Sequence, residues 1–396
     1  MAKELFHLLK KEIENLHAAG LFHDEYATGS QHKAQLEIEG KSFIDMTSTD
    51  YLGLAQDSQV VKAAKKAIDE FGPGTGSHRF LAGTGQIHHE LENTLSEFLE
   101  KDSAAIFSSL YQANVGIFES LVNHQDYIFA NFNCHPSIVD GIQLSKAKKQ
   151  YWGFGDLSDL EDQLKRSPRA RFRFIFAEGV YSHDGKVADL KGICDLADRY
   201  DAIVVLHDTS GIGVIGERAR GSAEACDVLD RVDIITGSFS KALSGVELGF
   251  VVGNKDLIRW LKQKSKPYVF STSPSPPLVA SAQQALAIAK ADHERRVLLA
   301  DKVKNFRESL NAAGFRLVKG DHPIVAVLTN DAVKTQKVVD HLFAQNIFTT
   351  GLCYPVVPKG FARVLCQVTV NHTPENLHAV TEALSVVGHR LKIIKK

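Results

Sequence analysis

Lys241 is the residue whose type and position most clearly suggest chemistry in this 396-residue sequence. It follows an apolar segment at 232–236 and lies in GSFSKALSG, a run of small residues that would let a bulky planar ligand approach the backbone. Lysine side chains form Schiff bases with carbonyl compounds, and burial lowers the pKa of the amine toward values at which it is nucleophilic. The alternative is an ordinary solvated loop lysine. The surrounding small residues favour carbonyl chemistry.

Other polar residues follow apolar segments at positions where a simple turn would suffice. They are Ser108-Ser109, Glu178 with Ser182, His207-Asp208 and the segment from Ser238 to Lys241. Ser109, Leu110 and Tyr111 lie where a helix is predicted to begin, and the first N–H groups of a helix bind phosphate well. An ordinary serine cap gives the same pattern. His135 could stack on a planar ring, although a single histidine is more often structural.

Short apolar strands alternate with amphipathic helices between about residues 42 and 290. Strands are predicted at 104–107, 127–130, 172–177, 202–206, 232–236 and 248–252, with helices such as 87–99 and 190–199 between them. Nearly continuous apolar strands separated by helices predict an α/β fold with a mostly parallel sheet covered on both faces. Ligands of such sheets bind at the carboxyl ends of the strands, where the polar residues above lie.

After about residue 290 the pattern changes to a charged helix near 291–313, a strand at 324–328, a helix at 335–345, a strand at 363–370 and a last helix. Thr373 and Pro374 begin that helix, since threonine is a good cap and proline is favoured at the first helical position. We predict an N-terminal helical arm over 1–44, ending its helix at Gly20, a large domain over 45–290 and a small α+β domain over 291–396.

The composition is that of an ordinary globular protein, with 44% hydrophobic and 23% charged residues. A net charge of −1 predicts no basic face for nucleic acid or anionic lipid. The five cysteines are scattered without a CxxC pair, which fits thiols in a reducing compartment, and no metal-ligand spacing occurs. No apolar run approaches ~18 residues, and the apolar positions of the arm are interrupted by charges. We therefore expect a cytoplasmic protein with no metal and no membrane partner.

Eight motifs occur in order over about residues 45–375. They are GTGSHRFLAGTGQIHHELE, SSLYQAN, NCHPSIVDG, EGVYSHDG, HDTSGIGVIGERARGS, GSFSKALSG, FSTSPSP and CYPVVPKGFAR. Together they resemble the α-oxoamine synthase family, which are fold type I PLP enzymes that join an amino acid to an acyl-CoA. The branch containing 2-amino-3-ketobutyrate CoA ligase and 8-amino-7-oxononanoate synthase is the most similar. The resemblance implies a seven-stranded, mostly parallel sheet, a small C-terminal domain, pyridoxal 5'-phosphate (PLP) as cofactor and a homodimer with shared active sites.

The resemblance also implies roles for individual residues. Lys241 matches the Schiff-base lysine, and His135 matches the histidine that stacks on the pyridine ring. Ser182 matches a serine that hydrogen-bonds the phenolic oxygen of the ring. The backbone at 109–111 matches half of the phosphate cup, and Thr272 matches a hydroxyl that the neighbouring subunit donates to the phosphate. The implied cofactor contacts also include Ser109, Leu110, Tyr111, Glu178, His207, Ser210 and Ser238.

The strand predicted at 202–206 departs from the family pattern at its end. The family strand ends in Asp-(Asp/Glu)-x-His, whose first aspartate pairs with the protonated pyridine nitrogen, whereas this chain has His207-Asp208-Thr209-Ser210. Asp208 cannot replace that aspartate unless a bulge shifts the register, since successive strand side chains point to opposite faces. We expect Asp208 to be structural. A carboxylate makes the ring an electron sink, so a neutral His207 predicts a weaker sink and a charged one would repel a protonated ring.

Both family ligands for the carboxylate of the substrate are replaced as well. Seven residues before His372, the family has an arginine that binds this carboxylate, and this chain has Leu365. The family asparagine before (Asp/Asn)-Tyr-Leu-Gly is replaced by Thr49. Arg363 and Arg79 are the predicted substitutes, although a shift of two strand residues moves a side chain by ~6–7 Å.

Two hypotheses of different classes remain. In the first, the chain is a PLP-dependent acyltransferase, with Lys241, His135 and His207 as catalytic residues. It condenses an amine or an unusual amino acid with an acyl thioester such as acyl-CoA. In the second, the chain is a catalytically silent or regulatory relative, which the loss of the ring carboxylate favours. The retained Lys241, His135, Ser182 and Thr272 favour the enzyme, because an unused site has no physical reason to keep a complete cofactor cradle.

Overall fold

A computed structural model describes residues 2–18, 22, 25–31, 33–153, 155–167 and 169–395. The helices are α1 (Ala2–Ala18), α2 (Ser58–Phe71), α3 (Gln86–Phe98), α4 (Leu110–Leu121), α5 (Pro136–Leu144), α6 (Leu157–Lys165), α7 (Leu190–Tyr200), α8 (Ser222–Ala225), α9 (Lys255–Lys264), α10 (Lys266–Val269), α11 (Pro276–Ala291), α12 (His293–Ala312), α13 (Ala332–Ala344) and α14 (Pro374–Arg390). The strands are β1 (Gln35–Ile38), β2 (Lys41–Asp45), β3 (Ser103–Phe107), β4 (Tyr127–Asn131), β5 (Lys148–Trp152), β6 (Arg173–Glu178), β7 (Ile203–His207), β8 (Ile234–Ser238), β9 (Gly249–Gly253), β10 (Ile324–Leu328), β11 (Ile347–Phe348), β12 (Thr350–Leu352) and β13 (Arg363–Gln367). The predicted helix end at Gly20 lies outside the described residues.

The central sheet has seven strands in the order β3-β9-β8-β7-β6-β4-β5. Its strands run parallel except β9, which is antiparallel to both of its neighbours. Alternate residues of β3 pack into different cores, with Ala104 and Ile106 in one and Ala105 and Phe107 in the other. Both faces are therefore covered, which explains the continuous apolar strands. The predicted seven-stranded, mostly parallel sheet is confirmed.

The sequence does not predict β5, whose residues KKQYW carry no apolar run. This strand pairs only with β4 at the end of the sheet. Its first two side chains, both lysines, are exposed. Charged residues are tolerated at an edge because one side of the strand faces solvent, so the hydrophobic pattern is weakest here.

Residues 35–45 form strands, which corrects the prediction of a helical arm over 1–44. β1 and β2 pair through a two-residue turn whose residues, Glu39 and Gly40, have φ values of 50° and 75°. Positive φ at both central residues suits the right-handed twist of a hairpin, and Gly40 adopts it without strain. β2 then pairs in parallel with β11, through Ile347 and Ile44. Residues 35–45 therefore share a sheet with the C-terminal part of the chain.

The remainder of the C-terminal part is built on the antiparallel sheet β10-β13-β12, with α12, α13 and α14. β10 has the predicted bounds, whereas β13 ends at Gln367, three residues earlier than predicted. The predicted cap of α14 is confirmed, since the Thr373 hydroxyl accepts a hydrogen bond from the N–H of Asn376 at 3.2 Å. Among the described helices, none is both long and apolar enough to cross a membrane.

Candidate active site

The amine of Lys241 lies in a buried polar cluster just beyond the end of β8. Its Nζ donates a hydrogen bond to Ser210 Oγ at 2.8 Å. Burial lowers the pKa of Lys241, and the nearby Glu178 and Asp208 oppose that shift. Removal of the amine from water favours its neutral, nucleophilic form, and a hydroxyl neighbour does not restore the charge.

The ends of three parallel strands place their side chains side by side. Glu178 of β6 is in register with His207 of β7, and His207 is in register with Thr236 of β8. Residues in register point to the same face of a sheet. Burial raises the pKa of Glu178 to about 8, against the opposing effects of Lys241 and of a backbone hydrogen bond from His135. This row is therefore uncharged or weakly charged at neutral pH.

His135 lies face to face with His207 of this row, with ring centroids 5.1 Å apart and an interplanar angle of 29°. His135 caps α5, because its Nδ1 accepts a hydrogen bond from the N–H of Ser137 at 3.2 Å. Burial lowers the pKa of His135 to about 4, with a further contribution from Lys241. Burial also lowers the pKa of His207 well below its usual value, with smaller effects of His135 and Lys241. Both rings are neutral near pH 7.

The carboxylate of Asp208 points away from His207 and closes the loop that follows β7. Its two oxygens accept hydrogen bonds from the N–H of Gly211 at 3.1 Å and from the N–H and hydroxyl of Ser222 at 2.6 and 2.7 Å. Gly221 has a φ of +91°, and a Cβ there would lie 2.2 Å from Asp208 Oδ2, so only glycine fits. Asp208 is structural, as the alternation of strand side chains predicts.

The start of α4 offers backbone donors to an anion. Ser109 caps this helix by accepting a hydrogen bond from the N–H of Gln112 at 3.2 Å. Within the described residues, the N–H groups of Leu110 and Tyr111 have no hydrogen-bond acceptor. Gly249 of β9 lets the strand approach this turn, since a Cβ there would lie 2.4 Å from the nitrogen of Leu110. Paired free amides at a helix N-terminus suit a phosphate.

The remaining predicted cofactor residues lie around this centre in different states. Ser238 Oγ accepts a hydrogen bond from the N–H of Ser240 at 2.8 Å and so shapes the loop that carries Lys241. Ser182 and Thr272 expose their side chains. The carbonyl of Thr272 accepts from Ser108 Oγ at 3.2 Å, which places the FSTSPSP segment beside the start of α4. Contacts of these two side chains with the cofactor stay predictions.

Arg79 and Arg363, the predicted substrate ligands, are each paired with an acidic side chain. Arg363 Nη1 lies 3.2 Å from Asp184 Oδ2, and Arg79 Nη2 lies 2.8 Å from Glu92 Oε1. The two arginine side chains are only 5% and 2% exposed. A substrate carboxylate would have to share each guanidinium with the acid that already holds it, and the role of these two arginines as substrate ligands stays a prediction.

Leu365 and Thr49 belong to two segments that contact each other. The side chain of Gln367, two residues after Leu365, accepts a hydrogen bond from Tyr51 Oη at 2.7 Å and donates to the carbonyl of Thr47 at 3.1 Å. Thr49 lies between these two contacts and lines a cavity of about 480 Å³ together with Ser240, the neighbour of Lys241. Thr49 therefore lies near the lysine loop, on a segment that contacts the strand carrying Leu365.

Three buried residues of the site are absent from the sequence prediction. His322 Nε2 donates to the carbonyl of Ser210 at 2.9 Å, Asn114 Nδ2 lies 3.2 Å from His207 Nδ1, and His183 lies 3.5 Å from Asp184. His322 precedes a strand and Asn114 lies within α4, so neither lies at the carboxyl end of a strand, whereas His183 directly follows Ser182 in the EGVYSHDG motif. For His322 the remaining signal was the polar Asp321-His322 pair, which only Pro323 separates from the apolar segment at 324–328.

Comparisons with known proteins agree with this geometry. Residues 41–384 match the aminotransferase class I and II family. The chain is 41% identical to 2-amino-3-ketobutyrate coenzyme A ligase of Escherichia coli K12 over the whole of both chains. It is 37% identical to 8-amino-7-oxononanoate synthase of Thermosipho melanesiensis over 98% of this chain and 99% of the relative. The chain belongs to the α-oxoamine synthase family of PLP enzymes.

Structural comparison supports the same family. A serine palmitoyltransferase variant from S. paucimobilis, solved with PLP and myriocin bound, is similar with a TM-score of 0.93, 29% identity and 99% coverage of each chain. The cofactor of this α-oxoamine synthase is therefore PLP. The described residues fit it, because the site supplies a buried amine on Lys241 for the aldehyde and free amides at Leu110 and Tyr111 for the phosphate. The neutral ring of His135 lies beside His207 at the same centre, and its contact with the pyridine stays a prediction.

Proposed function

We propose that the chain condenses an acyl thioester with an amino substrate that is not an ordinary α-amino acid. The observation that carries this proposal is the face of β13 nearest the large domain, where Leu365 stands at the family position of the carboxylate-binding arginine. Residues two apart on a strand share a face, so Arg363, Leu365 and Gln367 point the same way. The outer two are already bonded to Asp184 and to Tyr51, which leaves an apolar side chain between them.

Both arginines predicted to replace the missing one are already paired with carboxylates. The guanidinium of Arg363 is paired with Asp184, and that of Arg79 is paired with Glu92. Thr49, in place of the family asparagine, offers one hydroxyl. A carboxylate placed against Leu365 would lose its hydration without a partner, which costs several kcal/mol. An amine, or an amino acid whose carboxylate lies elsewhere, avoids this cost.

The side chains of the site provide the other steps. PLP, when bound, withdraws electrons from the carbon next to the substrate nitrogen. Lys241, with its pKa lowered by burial, takes and returns the proton at that carbon. The amides of Leu110 and Tyr111 would hold the phosphate of this group, and His135 would contact its ring. An acyl thioester such as acyl-CoA is the electrophile, as in the reactions for which the relatives are named.

We propose that the active form is a homodimer and that the protein works in the cytoplasm. Leu5, Leu9, Ile13 and Leu16 of α1 are exposed, at 53%, 48%, 47% and 42%. An amphipathic helix with an uncovered apolar face gains free energy by packing on a second copy. The exposed Thr272 would then reach the cofactor of the partner. All five cysteines are free, which supports a reducing compartment.

A test of the substrate class uses Leu365→Arg, with Leu365→Met as the uncharged control of similar size. PLP-loaded protein is mixed with simple amines and with glycine, alanine and serine, and the absorbance change of the cofactor is titrated. We expect the wild type and Leu365→Met to respond to amines at concentrations at least tenfold lower than to amino acids. Leu365→Arg should reverse this order, because it restores a fork for the carboxylate.

The outcomes separate the alternatives. A wild type that responds to glycine more strongly than to amines and then turns over with acyl-CoA would contradict the proposed change of substrate. A PLP-loaded protein that responds to no amine and no amino acid would instead support the catalytically silent relative.

A further inference from the structure

We infer that the hydrogen bonds behind His207 fix it as a neutral imidazole with its proton on Nε2, which donates to an unprotonated pyridine nitrogen. The inference deepens the proposed function, since it assumes that His207 occupies the family position beside the ring nitrogen. Asn114 is then the residue that positions His207. The supporting observation is a series of hydrogen bonds that leads from the backbone N–H of Ser137 to the His207 ring.

The chain of contacts begins at a donor whose direction cannot change. The backbone N–H of Ser137 donates to His135 Nδ1 at 3.2 Å. A peptide nitrogen can only donate, so Nδ1 of His135 carries a lone pair. The hydroxyl of Ser137 lies 2.7 Å from the same Nδ1. Because His135 Nδ1 accepts, the Ser137 hydroxyl donates its single proton to that atom.

The orientation of the Asn114 amide follows from this. Ser137 Oγ has no second proton, so toward Asn114 it accepts a hydrogen bond. Asn114 therefore presents its Nδ2 group, which lies 2.8 Å from Ser137 Oγ. The opposite orientation of the amide would face the hydroxyl oxygen with another acceptor. The backbone N–H of Ser137 in α5 thus determines which way the side-chain amide of Asn114 in α4 is oriented.

The second proton of Asn114 Nδ2 determines the tautomer of His207. Nδ2 lies 3.2 Å from His207 Nδ1, and the Thr236 hydroxyl lies 3.2 Å from the same atom. Asn114 Nδ2 can only donate, whereas the Thr236 hydroxyl can donate or accept. A lone pair on Nδ1 therefore satisfies both contacts, whereas a proton there would leave the Asn114 N–H facing another donor, so we place the ring proton on Nε2. The imidazolium form would leave the Asn114 contact unsatisfied in the same way. Within the described residues, Nε2 of His207 has no hydrogen-bond partner.

The surroundings keep this arrangement fixed. Asn114, Ser137, His207 and Thr236 are 2%, 0%, 4% and 1% exposed, so bulk water cannot supply alternative partners. The nearest titratable groups, His135 and Lys241, both disfavour a positive charge on His207. A donor at Nε2 requires an acceptor in the ligand, and a protonated pyridine nitrogen would be a second donor. The relay of hydrogen bonds would thus keep the pyridine nitrogen unprotonated, whereas a carboxylate at this position would favour the protonated form.

Nuclear magnetic resonance tests this without reference to turnover. Wild-type protein is labelled with ¹⁵N-histidine and loaded with PLP that carries ¹⁵N in its ring. At pH 7 we expect His207 to show a protonated Nε2 and an unprotonated Nδ1, and the ring nitrogen to show the shift of a neutral pyridine. A pyridinium shift in the wild type, or a proton on His207 Nδ1, would overturn the inference.

Three variants distinguish the role of Asn114 from general structural support. Asn114→Asp replaces the donor by an acceptor and should move the His207 proton to Nδ1. Asn131→Asp makes the same change at another buried asparagine and should leave His207 unchanged. His207→Asp should shift the ring nitrogen to the pyridinium form. An Asn114→Asp protein that keeps the wild-type His207 signals would contradict the relay.

Failure of the proposed function gives a different result. The His207 tautomer is measured with and without cofactor, so it reports on the relay even when no amine binds. A protein with the expected histidine signals that ignores amines would contradict only the substrate proposal.

Discussion

The reactivity of Lys241 depends on two opposing effects at one nitrogen atom. Burial lowers the pKa of the amine, whereas the carboxyl groups of Glu178 and Asp208 raise it. Burial raises the pKa of Glu178 to about 8, so this carboxyl group is largely neutral near pH 7. The carboxylate of Asp208 accepts hydrogen bonds from the N–H groups of Gly211 and Ser222. The acids therefore do not cancel the effect of burial, and the pKa of Lys241 stays below its usual value, which favours attack on an aldehyde.

Replacing Lys241 by alanine should abolish covalent capture of PLP. Borohydride treatment of the PLP-loaded wild type should add one pyridoxyl group per chain by intact mass, and Lys241→Ala should add none. Lys302→Ala is the matched control, because burial also lowers the pKa of Lys302 while its amine donates to the carbonyls of Val370 and His372 at 2.6 Å. A full pyridoxyl adduct on Lys241→Ala would show that another amine is the attachment point.

At the scale of the element, the end of β7 separates two tasks between neighbouring residues. The two-residue period of a strand sends His207 toward the site and Asp208 toward the following loop. His207 contacts Asn114 and Thr236, whereas Asp208 binds backbone and side-chain donors of the loop that leads to α8. One strand end thus presents a neutral ring to the ligand and fastens the loop behind it.

Asp208→Asn should therefore destabilise the fold without altering the tautomer of His207. An asparagine can present only one accepting oxygen, so donors of Ser222 and Gly211 lose partners, and we expect a loss of about 2–4 kcal/mol in unfolding free energy. Asp189→Asn, at the exposed cap of α7 where one N–H of Gly192 is bound, should cost less than about 1 kcal/mol. Urea unfolding of both variants measures the difference, and equal losses would contradict a special role for Asp208.

The elements that sequence reasoning finds are those with a local pattern. The buried strands β4, β6, β7 and β8 have continuous apolar residues, and the opposite directions of the His207 and Asp208 side chains follow from alternation. The edge strand β5 and the hairpin β1-β2 lack that pattern, and β2 is fixed by pairing with a strand about 300 residues away. The acidic partners of Arg79 and Arg363 lie 13 and 179 residues away in the sequence, so the sequence did not show that the two charges are paired. Contacts between distant segments leave no periodic signal.

At the scale of the whole molecule, several histidines are buried where they cannot easily become charged. Burial lowers the pKa of His88, His135, His207, His322 and His372. The unfolded chain binds protons at these residues near pH 6.5, and the folded chain does not. Between the folded and unfolded pKa values, the unfolding free energy therefore falls as the pH falls. Asp208 acts in the opposite direction, because its folded pKa of about 6 lies above the unfolded value.

His322 is the residue at which this acid sensitivity is best measured. Burial lowers the pKa of His322 to about 3. Between pH 6.5 and pH 5 the unfolding free energy should therefore fall by about 2 kcal/mol because of this residue alone. His322→Gln keeps a donor for the carbonyl of Ser210 but cannot titrate, so its loss of unfolding free energy over this interval should be smaller by that amount. His378→Gln, at an exposed histidine of α14, should follow the wild type.

The comparison uses urea unfolding at fixed protein and PLP concentrations. The readout is the slope of the unfolding free energy with pH, since the substitution also changes stability at every pH. Parallel slopes for the wild type and His322→Gln would mean that His322 is protonated equally in the folded and unfolded chains, and that the acid sensitivity arises from the other buried histidines.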